Sequence, residues 1–361
     1  MKQFLYVFSN MTISRKQNTI CCQPYEGECS NYGDEEKSPF FISEREDYLA
    51  KETGILPGEK KYIPVETVEG IFSFGTIHFN SKFLYFLSRY SIPLYCFTHH
   101  GNFAGAFLPP KELLSGNLMI LQVQRYAELR ERMIIGRSLT VSALTNMRRS
   151  LVYYAGRKEM DAKPAETLKD LRRHAEDAGS VDELLGIEGT GKRLYYSMWE
   201  TIFDRPFTFP ARKKHPAPDP VNSLISYGNA ILYAACLHEI YKTKLYPEIG
   251  FIHQPGDNRF SLALDLADVF KPVIVDRAIF SLINRKVISP EDFVCKDGSC
   301  MIGKDAKLAY ITLLREKFDT PVEIRGEDKR MTYRRIIRND CYKLAEHIET
   351  GKPFVPFTAR W

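Results

Sequence analysis

Four side chains in the second half of this chain have types and spacing that suit metal-assisted chemistry. His253 closes the apolar approach GFIH. Eight residues later comes SLALDLADVF, an apolar run that carries two acids, Asp265 and Asp268. Three residues apart, the two carboxylates share one face of a helix. Ser261 suits a cap for that helix over about 262–271, with Pro272 as its stop. Leu262, Leu266 and Val269 fill the rest of its surface, so the acids face burial. A buried carboxylate costs several kcal/mol unless a cation or hydrogen bonds compensate it. A metal ion is one compensator; Lys271 or Arg277 is another. His253 reads either as a ligand on the same ion or as a partly buried, satisfied histidine.

The fourth side chain is Glu188, in DELLGIEGTGKRLYYSMW. Gly186 to Lys192 fits the opening of a phosphate-binding P-loop, G-x-x-x-x-G-K. That loop needs Ser or Thr next, to meet magnesium, and a strand before it. Arg193 follows instead, the preceding residues read as helix, and Glu188 would repel phosphate from within the loop. The sequence therefore argues against a nucleotide-binding loop. Lys192 lies four residues beyond Glu188, so a surface i,i+4 ion pair is the plain alternative to a metal role. A third segment, DPVNSLISYGNAILYAACLHEIY at 219–241, sets Asn222, Ser226 and Asn229 at near-helical spacing in an apolar helix. They are either core hydrogen bonders or the lining of a site.

Glu188 and His253 with one or both of the aspartates would form an oxygen-rich donor set with one nitrogen and no thiolate. Such a set favours magnesium or manganese over zinc. These ions commonly act on phosphate esters, where they stabilise charge on phosphoryl oxygens. The surrounding charge agrees with a polyanionic partner. Net charge is +5 over 361 residues, and residues 111–361 hold 40 Lys and Arg against 33 Asp and Glu. Residues 1–110 hold 10 against 12, so the excess basicity lies entirely beyond them.

The elements that must position these groups divide in two. A β-rich region spans 1–108, with strands in KKYIPVETVEGIFSFGTIHF and IPLYCFTHHGNFAGAFLP and a turn near Gly101 and Asn102. A short amphipathic helix, FNSKFLYFLSRYS, separates them, and MKQFLYVFSNMTISRK reads as a first strand. Residues 21–60 are polar and hold Pro24, Pro39 and Pro57; they read as an inserted arm or loop. Residues 109–116 form a linker. From 117 to 361 the periodicity is helical, broken at FTFPARKKHPAPDPV and around CKDGSC. The expected class is α+β multidomain, a small β-rich domain followed by a larger all-α catalytic domain. No apolar run approaches the ~18 residues of a membrane span, and the start lacks a signal-peptide pattern. The reading is cytoplasmic, with the eight cysteines mostly free thiols. CCQPYEGEC and CKDGSC can each form part of a metal site or a disulfide.

Three stretches, LLGIEG around Glu188, DPVNSLISYGNAILY, and GFIH with FSLALDLADVFKP, together resemble the CRISPR-associated endonuclease/integrase family Cas-one (Cas1) in order and spacing. IPVETVEGIFSFG, the IPLY…GNFAG segment and the Asn146-Met147-Arg148-Arg149 stretch also fit, and only the 21–60 arm lies outside. The resemblance implies a β domain that makes a homodimer and an α domain that holds one Mg2+ or Mn2+. Carried across, the ligands are Glu188, His253 and Asp268, and Asp265 is a supporting acid in the same catalytic group. Lys271 and Arg277 would meet phosphate, and Tyr233 would lie near the site. Arg148, Arg149, Arg172 and Arg173, with Lys213, Lys214, Arg334 and Arg335, are candidates for contact with double-stranded DNA. The implied reaction inserts short DNA fragments at a CRISPR repeat by 3′-hydroxyl transesterification, aided by a small partner, Cas-two (Cas2). Against it stand a non-catalytic DNA-binding scaffold with a vestigial site, a P-loop hydrolase, and a glycosidase. The last would set its acids on opposite sides of a sugar rather than on one helical face.

Overall fold

A computed structural model describes residues 2–24, 59–98, 102–110, 113–204, 207–213, 216–257, 259–323 and 330–360. The chain divides into two compact units, Met1–Lys111 and Glu112–Trp361.

The first unit is built from strands rich in Val, Ile, Phe and Tyr, whose side chains suit a pleated, half-buried surface. They are β1 (Gln3–Val7), β2 (Met11–Lys16), β3 (Thr19–Pro24), β4 (Lys61–Pro64), β5 (Val68–Ser73), β6 (Ile77–His78), β7 (Leu94–Phe97) and β8 (Phe103–Phe107). One sheet runs β1-β5-β7-β8 and the other β4-β3-β2-β6. β1, β5 and β7 pair in parallel, with Leu5 opposite Ile71 and Ile71 opposite Leu94. Val7, Ile13, Ile20, Ile71 and Leu94 form one core with Phe83, Phe86 and Leu87 of helix α1 (Ser81–Arg89). Asn80 caps α1 by accepting from the Phe83 backbone N–H at 3.1 Å.

Two sequence readings change here. The opening segment forms two strands rather than one, β1 and β2. The proposed arm begins later than residue 21, because Cys21 to Pro24 complete β3, paired with both β2 and β4. Ile20, Cys21 and Cys22 are buried in succession there, as in a strand covered on both faces. Residues 25–58 of the arm, Cys29 and the turn at Gly101 lie outside the described residues.

The second unit is helical: α2 (Gly116–Ala127), α3 (Leu129–Ala155), α4 (Lys163–Asp177), α5 (Val181–Ser197), α6 (Trp199–Ile202), α7 (Pro220–Tyr241), α8 (Ser261–Phe270), α9 (Val275–Asn284), α10 (Lys304–Asp319) and α11 (Tyr333–Thr350). Ser115 caps α2 through the Leu118 N–H, and the chain breaks at Glu128 before α3. Asp219 caps α7, with Pro220 at its first position, where a missing N–H costs nothing. α5 closes on α3 at Gly191, where a Cβ would lie 2.4 Å from Leu144 Cδ2. Trp199, Phe209 and Phe280 pack edge to face or tilted beneath α5, with centroids 4.7 Å apart for Trp199 and Phe280. Fully burying one such ring contributes about 1.5–3 kcal/mol, which fixes the end of α5 against α9.

The unit is not purely helical. β9 (Phe293–Lys296) and β10 (Ser299–Ile302) form a hairpin at CKDGSC. Asp297 and Gly298 at its tip both have positive φ, 52° and 73°, the geometry of a two-residue hairpin turn. Cys295 and Cys300 face each other across this hairpin and are disulfide-bonded, so the free-thiol reading fails for this pair. It holds for Cys21, Cys22, Cys96, Cys236 and Cys341. β11 (Pro321–Val322) and β12 (Met331–Thr332) make a second small ribbon. Among the described residues no helix is long and apolar enough to cross a membrane.

Candidate metal centre

α5, the loop before α8, and α8 itself bring Glu188, His253 and Asp268 together. Glu188 lies inside α5, a continuous helix over 181–197, which removes the P-loop alternative: a phosphate cradle needs an open loop at 186–192. The expected i,i+4 pair does form, with Lys192 Nζ 3.1 Å from Glu188 Oε2. It is not a surface pair, because the Glu188 side chain is only 6% exposed. The same ammonium lies 3.1 Å from Asp268 Oδ2, so Lys192 bridges acids on two helices. Lys271 donates to the other oxygen of Asp268.

The α8 face is as the spacing predicts, since Asp265 and Asp268 are both buried and side by side. The predicted Ser261 cap does not form. Ser261 is inside the helix, and its hydroxyl donates to the Gln254 carbonyl at 3.0 Å. The helix start is satisfied from elsewhere: Leu262 N–H donates to Pro247 O at 2.9 Å, and Phe260 N–H to Tyr233 Oη at 3.0 Å. Tyr233 is thus tied to the start of α8.

Asp265 has partners different from those of Asp268. It accepts from the backbone N–H groups of Phe251 (2.5 Å), Ile252 (3.1 Å) and His253 (2.9 Å). Its Oδ1 also lies 2.8 Å from His253 Nδ1. The loop can wrap this closely because residue 250 is glycine; a Cβ there would lie 2.9 Å from Asp265 Oδ2. Gln122 of α2 holds the same loop at Tyr246 O and Ile249 O, both 2.9 Å, and Arg132 of α3 holds Phe251 O at 2.7 Å. An imidazole whose Nδ1–H is held by a carboxylate presents Nε2 as a lone pair, an arrangement typical of histidine ligands. His253 Nε2 points toward Asp268, 3.9 Å from Oδ2.

Burial and close opposite charges set the electrostatics of this cluster. Burial, then the charge of Asp268, raises the pKa of Glu188. Burial also opposes ionisation of Asp268, but Lys192, Lys271 and His253 outweigh it and hold its pKa well below the ordinary range. Burial works against a charged His253; the Asp265 hydrogen bond and the surrounding acids outweigh it and raise its pKa. Two buried carboxylates already share one positive charge at 3.1 Å, with an imidazole nitrogen beside them. These residues fit Mg2+ or Mn2+, hard ions that take oxygen donors and tolerate one nitrogen.

Other candidates separate from this centre. Arg277 lies over the Tyr153 ring, 4.7 Å to its centroid. Arg148 pairs with Glu166 (3.2 Å), Arg172 with Glu176 (3.2 Å) and Arg173 with Asp170 (3.3 Å). Arg334 pairs with Asp319 at 3.2 Å, Arg335 and Lys213 are exposed, and Arg149 is half-buried. Lys214 lies outside the described residues. Asn222 and Ser226 prove to be internal hydrogen bonders. Asn222 Oδ1 accepts from Lys213 N–H (2.7 Å) and Arg212 (2.8 Å), and Ser226 Oγ from Arg212 (3.0 Å). Sequence reasoning missed Asp276, an acid in the apolar run VIVDRAIF and 1% exposed. Burial pushes its pKa up to about 8, against the lowering effects of Tyr195, Lys271, Arg212 and Lys192. The signal was of the kind that exposed Asp265 and Asp268: an acid set in a largely apolar run, here with Arg277 as its one charged neighbour.

The architecture defines a two-unit α+β protein whose helical part buries a cluster of two carboxylates and a histidine. The chain belongs to the family CRISPR associated protein Cas1, whose family model matches residues 5–316. A CRISPR-associated endonuclease Cas1 from Haloferax volcanii is 34% identical over 320 residues, 89% of this chain and 96% of that protein. Among solved structures, a CAS1 protein from Thermotoga maritima superposes with a TM-score of 0.79 at 31% identity, covering 98% of both chains. A casposase bound to integration product shares the fold, with a TM-score of 0.80 at 19% identity over 99% of this chain and 93% of that one. So does a chain of a Cas6-RT-Cas1–Cas2 complex, with a TM-score of 0.76 at 18% identity over 100% of this chain and 36% of that one.

Proposed function

We propose that this protein is a divalent-metal-dependent DNA endonuclease and integrase of CRISPR adaptation. It would join the 3′-hydroxyl ends of short DNA fragments to a CRISPR repeat by transesterification. The observation that carries this reading is the convergence of buried Glu188 and Asp268 on one shared positive charge, with His253 Nε2 turned toward them by Asp265. Family membership and the name of the Haloferax relative support the reaction class.

Glu188, His253 and Asp268 would hold Mg2+ or Mn2+, which when bound supplies positive charge for the phosphoryl oxygens and the departing 3′-oxygen. Asp265 keeps the proton on Nδ1, so Nε2 stays a donor of electrons. Lys192 and Lys271, now paired with the carboxylates, would be free to meet phosphate once an ion is held there. In the joining step the attacking 3′-oxygen forms a bond to phosphorus, the bond to the repeat's 3′-oxygen breaks, and one proton passes from the attacker to the leaving group. With water as attacker the same exchange is cleavage. Tyr233 donates nothing covalent; its hydroxyl secures the start of α8.

The remaining assignments belong to the same proposal. The β-rich unit forms a homodimer, and the assembly works with Cas2. Arg148, Arg149, Arg172, Arg173 and Arg277 contribute contacts to double-stranded DNA, so affinity falls steeply with salt. The test is strand transfer of a labelled duplex with free 3′-hydroxyls into a supercoiled repeat plasmid, with and without Cas2, in manganese, magnesium or chelator. Label entering the plasmid only with metal, and only when Glu188 is present, supports the proposal. No transfer in any condition, with tight salt-dependent DNA binding retained, replaces it with the non-catalytic scaffold.

A further inference from the structure

The last stretch of the chain reaches the metal centre through one buried amide. Asn146 lies in the middle of α3, fully buried. Its Nδ2 donates to Val269 O at 2.8 Å and to Phe357 O at 3.2 Å, and its Oδ1 accepts from Ala359 N–H at 2.8 Å. Val269 follows Asp268 and sits in the last turn of α8, where helix carbonyls lack partners along the helix. Asn146 supplies that partner. The segment after α11 is itself anchored from several sides. Phe357 N–H donates to Asp340 Oδ2 at 2.7 Å, Ser142 Oγ donates to Phe357 O at 2.5 Å, and the Phe357 ring stacks on Phe270 at 5.7 Å and 6°. Phe357 and Ala359 are buried although the segment forms no helix or strand.

From this geometry we infer that residues 354–359 act as a strap and that Asn146 is the positioning residue through which the strap sets the last turn of α8, and with it the carboxylate of Asp268. A small rotation there moves Asp268 relative to Glu188 and His253, which are fixed on other elements. Val269 O, Phe357 O and Ala359 N–H fill the hydrogen-bonding capacity of an Asn that no aliphatic residue reproduces. The inference rests on the proposed ligand role of Asp268, but its first readout does not require metal.

The experiment compares the full-length protein with Asn146→Ala, Phe357→Ala and Ser142→Ala. Ser142→Ala removes one anchor of the strap but leaves Asn146 bonded to Val269 O and Ala359 N–H, so it shows what loss of a strap contact does while the link to α8 is intact. Metal-free amide exchange at residues 268–274 is expected to quicken in Asn146→Ala and, by less, in Phe357→Ala, and to stay at the wild-type rate in Ser142→Ala. Manganese affinity, read from the free-ion EPR signal, is expected to weaken about tenfold in Asn146→Ala, the usual scale for loss of a group supporting a ligand. Unchanged exchange at 268–274 in both strap variants overturns the strap. Faster exchange with wild-type manganese affinity overturns its link to the centre. Should Asn146→Ala fail to fold, Phe357→Ala decides both points. Should wild type itself bind no manganese in a Glu188-dependent way, the proposed function fails while the exchange comparison still judges the strap.

Discussion

Two acids one helical turn apart, Asp265 and Asp268, are both buried yet live in opposite surroundings. Asp265 is matched by fixed donors: the backbone of residues 251–253 and the ring of His253. Asp268, with Glu188 opposite, is matched by the ends of two flexible lysines. Fixed donors make a carboxylate part of the scaffold. Mobile ammonium groups neutralise a carboxylate while leaving its oxygens available to another cation. The difference separates the group that shapes the centre from the groups that use it, although the sequence spacing treats both acids alike.

Breaking the using side should remove activity and spare the fold. Glu188→Ala is expected to lower strand joining and cleavage by on the order of 10²–10³-fold or more, with the melting temperature within a few degrees of wild type. Lys192 would still pair with Asp268 in that variant. Retained activity in manganese buffer would remove Glu188 from the centre. Breaking the shaping side should cost stability first. Asp265→Ala leaves the N–H groups of residues 251–253 and the His253 ring unpartnered, a loss of about 3–5 kcal/mol, measurable by urea unfolding. A change under about 1 kcal/mol would place Asp265 with the ligands instead.

Smaller effects sharpen the same contrast. His253→Ala is expected to cost more activity in manganese than in magnesium, by about tenfold, since manganese accepts nitrogen more readily and wild type gains more from the imidazole with that ion. Equal losses in both ions would deny the imidazole an ion-selective part. Asp276 offers a pH test. Its pKa rises from 3.8 to about 8 on folding, so the folded state binds more protons in that interval and stability declines as pH climbs through it. Asp276→Asn, in chelator, should therefore gain melting temperature relative to wild type at pH 8 more than at pH 5. A pH-independent difference would contradict the assigned burial effect.

Much of this was legible in the residues. Period-2 runs of Val, Ile and Phe pointed to the strands, and Asp265 and Asp268 in an apolar run pointed to the candidate site because a buried charge demands a partner. The 27-residue α3 and its break from α2 were open as one or two helices, since nothing in local periodicity decides a kink at Glu128. What stayed hidden depended on long-range contacts. Lys192 reads as a surface partner of Glu188 until Asp268, 76 residues away, closes on it. Ser261 reads as a cap until its hydroxyl turns to Gln254 O and the helix start is taken over by Pro247 O and Tyr233. Asn146 gives no chemical signal alone; its role exists only once α8 and the chain's last residues meet it.

The most direct test is anomalous diffraction from crystals soaked in manganese, recorded at the manganese edge. One strong peak is expected at coordination distance from Glu188, His253 Nε2 and Asp268, with Lys192 withdrawn from between the acids and Asp265 still bonded to residues 251–253. Manganese bound elsewhere, with Lys192 still bridging Glu188 and Asp268, would contradict it.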